Sequence, residues 1–126
     1  MKIYGDYHTH TIYSHGTGKI RDNVLVARER GIHDIAICDH GFSHVAYGVR
    51  RKNIDDMKKE IISLREEFPD MGIFLGIEAN VNGVGGAIDL KEDEIGLFDI
   101  IVAGYHKAIL PKKFPDLFRY HYSGLH

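Results

Sequence analysis

The chain has 126 residues, 44% hydrophobic and 27% charged, the balance of one ordinary globular domain large enough to bury a core. Sixteen Lys and Arg stand against eighteen Asp and Glu, so no basic field exists to gather nucleic acid, and nucleic acid is not an expected partner. The single Cys38 leaves no internal disulfide; with no signal-peptide pattern and no apolar run long enough for a bilayer, the expected location is a reducing cytoplasm, away from membranes.

Nine histidines in so short a chain are the compositional anomaly, and their positions decide whether it matters. Residues 2–10 read as a first strand that runs into Asp6-Tyr7-His8-Thr9-His10, with His15 one short turn later. Side chains alternate along a strand, so His8 and His10 share a face while Thr9 points away. Two imidazoles side by side on a rigid strand make half a coordination shell for zinc, iron, manganese or nickel, although H-x-H alone is a weak signal. Gly16-Thr17-Gly18 resembles the start of a dinucleotide loop, but Arg21 stands at the third glycine position, so that pattern fails. Asp22 or Asn23 is the expected cap of a helix to Arg30, with Val24, Leu25, Val26 and Ala27 as its apolar face and Gly31 as its stop. Residues 34–38 are a short apolar run of the kind buried on both faces of a sheet, and they end in Asp39-His40.

A loop rich in Gly, Ser and Tyr follows. It carries His44, read as an exposed loop histidine with substrate contact as the sharper alternative. It also carries Arg50-Arg51-Lys52, which could steer a phosphate but is more simply a wet surface. Asn53 precedes an amphipathic helix to Phe68, with Ile54, Met57, Ile61, Leu64 and Phe68 on one stripe, Asp55 and Asp56 in the first turn, and Pro69 as terminator. A third strand over 73–77 finishes in Glu78. Asn82-Gly83 and Gly85-Gly86 predict a small hairpin over 81–90 whose glycines serve the turn rather than a phosphate. A short helix over 92–97 leads to a fourth strand, 99–105, which finishes in His106. Beyond it one helical turn is expected around 116–120. His33 reads as a solvated or capping residue, Cys38 as small core filling, and Lys107 as a surface lysine before a substrate contact. His121 and His126 read as surface or tag-like residues.

Strands alternating with helices predict a parallel α/β sheet joined by right-handed crossovers. In such sheets functional groups collect at the carboxyl ends of the strands. His8 and His10, Asp39 and His40, Glu78, and His106 all hold that place.

In these residues the sequence resembles the PHP (polymerase and histidinol phosphatase) metal-dependent phosphoesterases. The resemblance runs through His8-Thr9-His10 with His15, Asp39-His40, Glu78 and His106, spans nearly the whole chain, and is closest to the small stand-alone PHP phosphatases. It implies an α/β fold whose parallel β/α units form part of a distorted (β/α)7 TIM-like barrel. It further implies up to three clustered divalent ions (Zn, Mn or Fe) at the mouth. His8 and His10 would hold one, His15 and His40 a second, and His106 a third, with Glu78 bridging two. Asp39 would orient an imidazole rather than ligate. The implied reaction is hydrolysis of a phosphate ester of a small molecule, of the histidinol phosphate kind, by a metal-generated hydroxide, with no protein nucleophile.

Three alternatives stand beside it: a non-catalytic or incomplete metal-binding PHP module, a nuclease acting on nucleic-acid ends, and a metal-dependent amidohydrolase, whose later-strand ligand patterns are absent here. Members of the family continue for roughly as many residues again and add another His and a late Asp-x-His pair. The first expectation is therefore a truncated N-terminal portion. The others are completion by a second polypeptide, or a barrel closed by the chain's own copy, because an open half barrel exposes sheet edges and apolar surface.

Overall fold

The computed structural model of the protein describes residues 3–83, 85–106 and 109. Lys107, the expected turn around 116–120, His121 and His126 lie outside the described residues. In chain order come β1 (Gly5–Thr9), α1 (Ile20–Glu29), β2 (Asp34–Ile37), a single 3-10 turn (Arg51–Asn53) and α2 (Ile54–Glu67). Then follow β3 (Gly72–Gly83), β4 (Ala87–Ile88), α3 (Glu92–Ile95) and β5 (Ile100–Gly104). β1 pairs with β2, β2 with β3 and β3 with β5, all parallel, while β4 turns back antiparallel on the end of β3. Curled parallel strands with alternating helices make this part of an α/β TIM-like barrel.

The third strand is longer than its sequence suggests. Residues 72–75 pair with β2, residues 76–80 with β5, and Val81 and Gly83 with β4. Each stretch finds a new partner for its backbone groups, so the strand continues past 77 to Gly83. Glu78 accordingly sits inside β3, not at its end, level with Val102 of β5 and bridged in parallel to His40 beyond β2. The hairpin turn uses Gly85 and Gly86 at φ of 86° and 81°, values a side chain would oppose.

The core lies on one face of the sheet. Ile35 and Ile37 of β2 and Ile73 and Leu75 of β3 pack against Ile20, Val24 and Ala27 of α1 and Ile54, Met57, Ile61 and Leu64 of α2. The apolar face of α1 differs from the expected one. Leu25 and Val26 are 41% and 44% exposed, because the buried stripe follows the helical steps from 20 to 24 to 27 and those two project beside it. The helix also starts earlier, at Ile20, and Asp22 acts from inside its first turn by accepting the Lys19 N–H at 2.8 Å. Asn23 is free for another task and donates to the His10 carbonyl at 3.0 Å. The Asn53 side chain likewise makes no cap. Among the described residues no helix is long and apolar enough to cross a membrane.

Candidate metal centre

β1 carries an irregularity just before its histidines. Gly5 and Asp6 pair with Asp34 and Ile35, but the next pair is Thr9 with Ile37, so β1 spends one more residue than β2. Such a bulge re-aims side chains. Thr9 turns away and donates to the Ala36 carbonyl at 2.8 Å, while the His8 and His10 rings lie 5.0 Å apart.

The turn after β1 is anchored by Asp39. Its two carboxylate oxygens accept the Thr11 backbone N–H at 2.6 Å and the Thr11 hydroxyl at 2.5 Å, with both residues buried. The Thr11 carbonyl in turn accepts from Ser14 and Gly16 at 3.0 and 2.9 Å, closing the turn that presents His15. Asp39 Oδ1 stands 3.8 Å from His10 Nδ1, too far for a hydrogen bond. Asp39 thus reaches the histidines through Thr11.

Glu78 stands in the middle of the imidazoles. Its Oε2 is 2.9 Å from His40 Nδ1, 3.4 Å from His8 Nε2 and 3.7 Å from His10 Nε2, and its Oε1 is 3.2 Å from His106 Nε2. His15 closes the group, with its ring 4.4 Å from His10 and 4.9 Å from His40. Gly104 leaves the space: a Cβ there would sit 2.5 Å from the His106 ring and 2.7 Å from Glu78 Oε1. The six candidate ligands therefore meet in one place. Three groups of donor atoms lie close enough to share an ion: His8, His10 and Glu78; His10, His15 and His40; and His40, Glu78 and His106.

Two supports were not legible as such in the sequence. His106 Nδ1 lies 2.8 Å from Asn80 Oδ1, and the Asn80 amide donates to Asp89 at 2.6 Å. That second bond fixes which end of the amide faces His106, so Nδ1 carries the proton and Nε2 presents its lone pair toward Glu78. Asp89 also accepts from the Asn80 and Ser43 backbones at 2.8 and 2.7 Å. The second is His44. It is half-buried rather than simply exposed, stacks on His40 at 4.5 Å, and accepts the Tyr47 N–H at 3.1 Å. Arg51 leaves the mouth altogether: it pairs with Glu94 at 2.5 Å and lies 4.0 Å over the Phe42 ring. His33 is exposed and stacks on Tyr4.

The electrostatics suit a cation. Burial pushes the His10 and His44 imidazoles below their ordinary values and takes His40 down to about 4, with neighbouring histidines adding to the effect. These rings are neutral at pH 7 and offer lone pairs. Burial also raises the Asp39 carboxyl against the pull of Thr11, and pushes the Cys38 thiol up to about 12, so Cys38 is inert filling. His10 Nδ1, His40 Nδ1 and Glu78 Oε2 are buried without a hydrogen-bond partner. Although His40 Nδ1 and Glu78 Oε2 approach closely, they are not aligned for a hydrogen bond. Each unsatisfied buried polar group costs about 1–3 kcal/mol, and divalent ions held in the three groups would give such donor atoms a partner. The residues present fit a bound metal.

The chain is similar in sequence to known proteins. Residues 6–122 match the PHP domain family. A probable phosphatase of Shewanella sp. (strain W3-18-1) is 32% identical over 117 residues, covering 88% of this chain and 43% of the relative. One from Shewanella piezotolerans is 35% identical over 112 residues with the same coverage. The DNA polymerase/3'-5' exonuclease PolX of Bacillus subtilis is 31% identical over 108 residues, covering 85% of this chain and 19% of its own length. The chain thus spans less than half the length of the curated relatives it matches. With the match running from β1 to beyond β5 and the histidines gathered around Glu78, the chain belongs to the PHP domain family of metal-dependent proteins.

Proposed function

We propose that this chain carries much of the active site of a metal-dependent phosphoesterase that hydrolyses phosphate monoesters of small molecules. The observation that carries the reading is the set of orphaned buried atoms, His10 Nδ1, His40 Nδ1 and Glu78 Oε2, within three overlapping groups of metal-ligand side chains. Divalent ions bound there supply Lewis-acid polarisation of the phosphoryl group and a water acidic enough to attack at neutral pH.

The protein's part is to hold these ligands ready. His8 and His10 with Glu78 form one group, His15 and His40 with His10 a second, and His106 with Glu78 and His40 a third. Glu78 ties the first to the third. Asp39, through Thr11, fixes the turn that carries His10 and His15, and Asp89 through Asn80 sets the tautomer of His106. No side-chain nucleophile is needed: the Cys38 thiol is held protonated by burial. The probable phosphatases among the relatives favour a small phosphorylated substrate, and a net charge of -2 offers a polynucleotide no attractive field.

The test is metal analysis of the purified chain together with phosphate release from phenyl phosphate. At least one bound Zn, Mn or Fe per molecule and turnover abolished by His8→Ala are expected. Metal without turnover would replace this reading by a metal-binding module, and absence of metal binding would end it.

A further inference from the structure

Next to the metal centre lies a second cavity of about 310 Å³, walled by Tyr13, Ser14, Tyr47, Gly48, Arg50 and Asn53 among others. It shares a rim with the histidines. The Tyr47 ring packs edge-on to His15 at 5.6 Å, and Ser14, which precedes His15, accepts the His40 N–H at 3.4 Å. The loop that builds the far wall is tied to itself: His44 N–H to the Gly41 carbonyl, Gly48 N–H to the His44 carbonyl, and Val49 N–H to the His40 carbonyl at 2.9 Å. The backbone of this wall is therefore pre-formed up to Val49, the residue before Arg50.

The three basic residues of this loop have different fates. Arg51 is paired with Glu94 and stacked on Phe42. Arg50 lines the cavity, and its guanidinium has no hydrogen bond or ion pair among the described residues. A guanidinium left unpaired at a cavity wall, beside an exposed aromatic face, has the chemistry to receive a planar group bearing an anion. On the reading that the metal centre takes a phosphate monoester, we infer that this cavity receives the leaving group and selects phosphate monoesters whose organic part is a flat ring carrying a second anionic group. The ring stacks on Tyr47 and the anion pairs with Arg50.

Two probe pairs test this on the 126-residue chain loaded with Zn or Mn: phenyl phosphate against 4-carboxyphenyl phosphate for turnover, and phenylphosphonate against 4-carboxyphenylphosphonate for binding by calorimetry. The carboxylated ester is expected to have a kcat/KM about tenfold higher than the plain one. Arg50→Ala and Arg50→Gln should both bring that ratio to about one, mainly through KM. Arg50→Lys should keep part of it, and Tyr47→Ala should raise KM for both esters with Tyr47→Phe restoring it. No preference in the parent protein, or a preference that survives loss of Arg50, overturns the inference. The phosphonates separate it from the hydrolase reading. If neither ester is hydrolysed but Arg50→Ala selectively weakens the carboxylated phosphonate, the cavity stands and the hydrolase falls. If both esters are hydrolysed and Arg50→Ala affects the two phosphonates alike, the cavity assignment falls alone.

Discussion

Replacing Glu78 by Gln keeps the shape of the side chain and removes its charge, which gives opposite results with and without metal. In the metal-free protein Glu78 Oε2 is buried without a hydrogen-bond partner beside imidazoles that burial keeps neutral. A buried charge without a counter-charge is costly, so Glu78→Gln in EDTA should be as stable as the parent or more so, by about 1–2 kcal/mol. With metal the order reverses. An ion present at a hundred times its dissociation constant stabilises the parent by ~2.7 kcal/mol, roughly 10 °C in Tm for a domain of this size. The variant lacks the carboxylate that joins two of the three candidate groups and should gain under half of that. Thermal melts of both proteins in EDTA and in a zinc or manganese series provide the assay. A structural carboxylate would behave otherwise: if Glu78→Gln lowers Tm equally in EDTA and in metal, the ligand assignment is wrong.

Other consequences follow from the supports. Asp39→Asn puts an amide N–H₂ against one of the two Thr11 donors, which should cost about 2–4 kcal/mol in urea unfolding and weaken metal binding; a loss below 0.5 kcal/mol would mean that Asp39 does not anchor the turn. Asn80→Ala frees the His106 ring from its tautomer lock and should reduce metal affinity about 10–100-fold by calorimetry; parental affinity would show that the Asp89-Asn80-His106 chain has no part in the centre. In EDTA the protein should lose stability as pH falls from about 6.5 toward 4. Unfolded His40 takes a proton near 6.5 whereas the folded residue takes it near 4, so the unfolded state binds more protons in that window, a difference of up to ~3 kcal/mol. His40→Gln should flatten this slope in urea titrations, and an unchanged slope would count against the burial of His40 as its cause.

Much of this was legible in the sequence, because it rests on local rules. Period-two alternation put His8 and His10 on one face, and the alternation of apolar runs with amphipathic helices implied parallel strands whose carboxyl ends face one way. His40 and His106 needed nothing more than that to join them. Other features depend on which backbone lies beside which. Glu78 looked like a strand terminus because its apolar run ends there, yet β3 continues by exchanging β2 for β5 and then β4. Asn80 and Asp89 are unremarkable residues nine positions apart until the β4 return brings them together behind His106.

The loop after β2 makes the same point. Arg50 and Arg51 are identical neighbours in the sequence, but Arg51 is paired with Glu94 on α3 while Arg50 lines the cavity with Tyr13, Ser14 and Tyr47. Composition and spacing determined which residue types could bind a metal and on which ends of which strands they sit. Strand register, hairpin return and loop closure decided how Glu78 sits among them, what holds each imidazole, and which arginine lines the neighbouring cavity. Those are contacts between segments far apart in the chain, and no local periodicity encodes them.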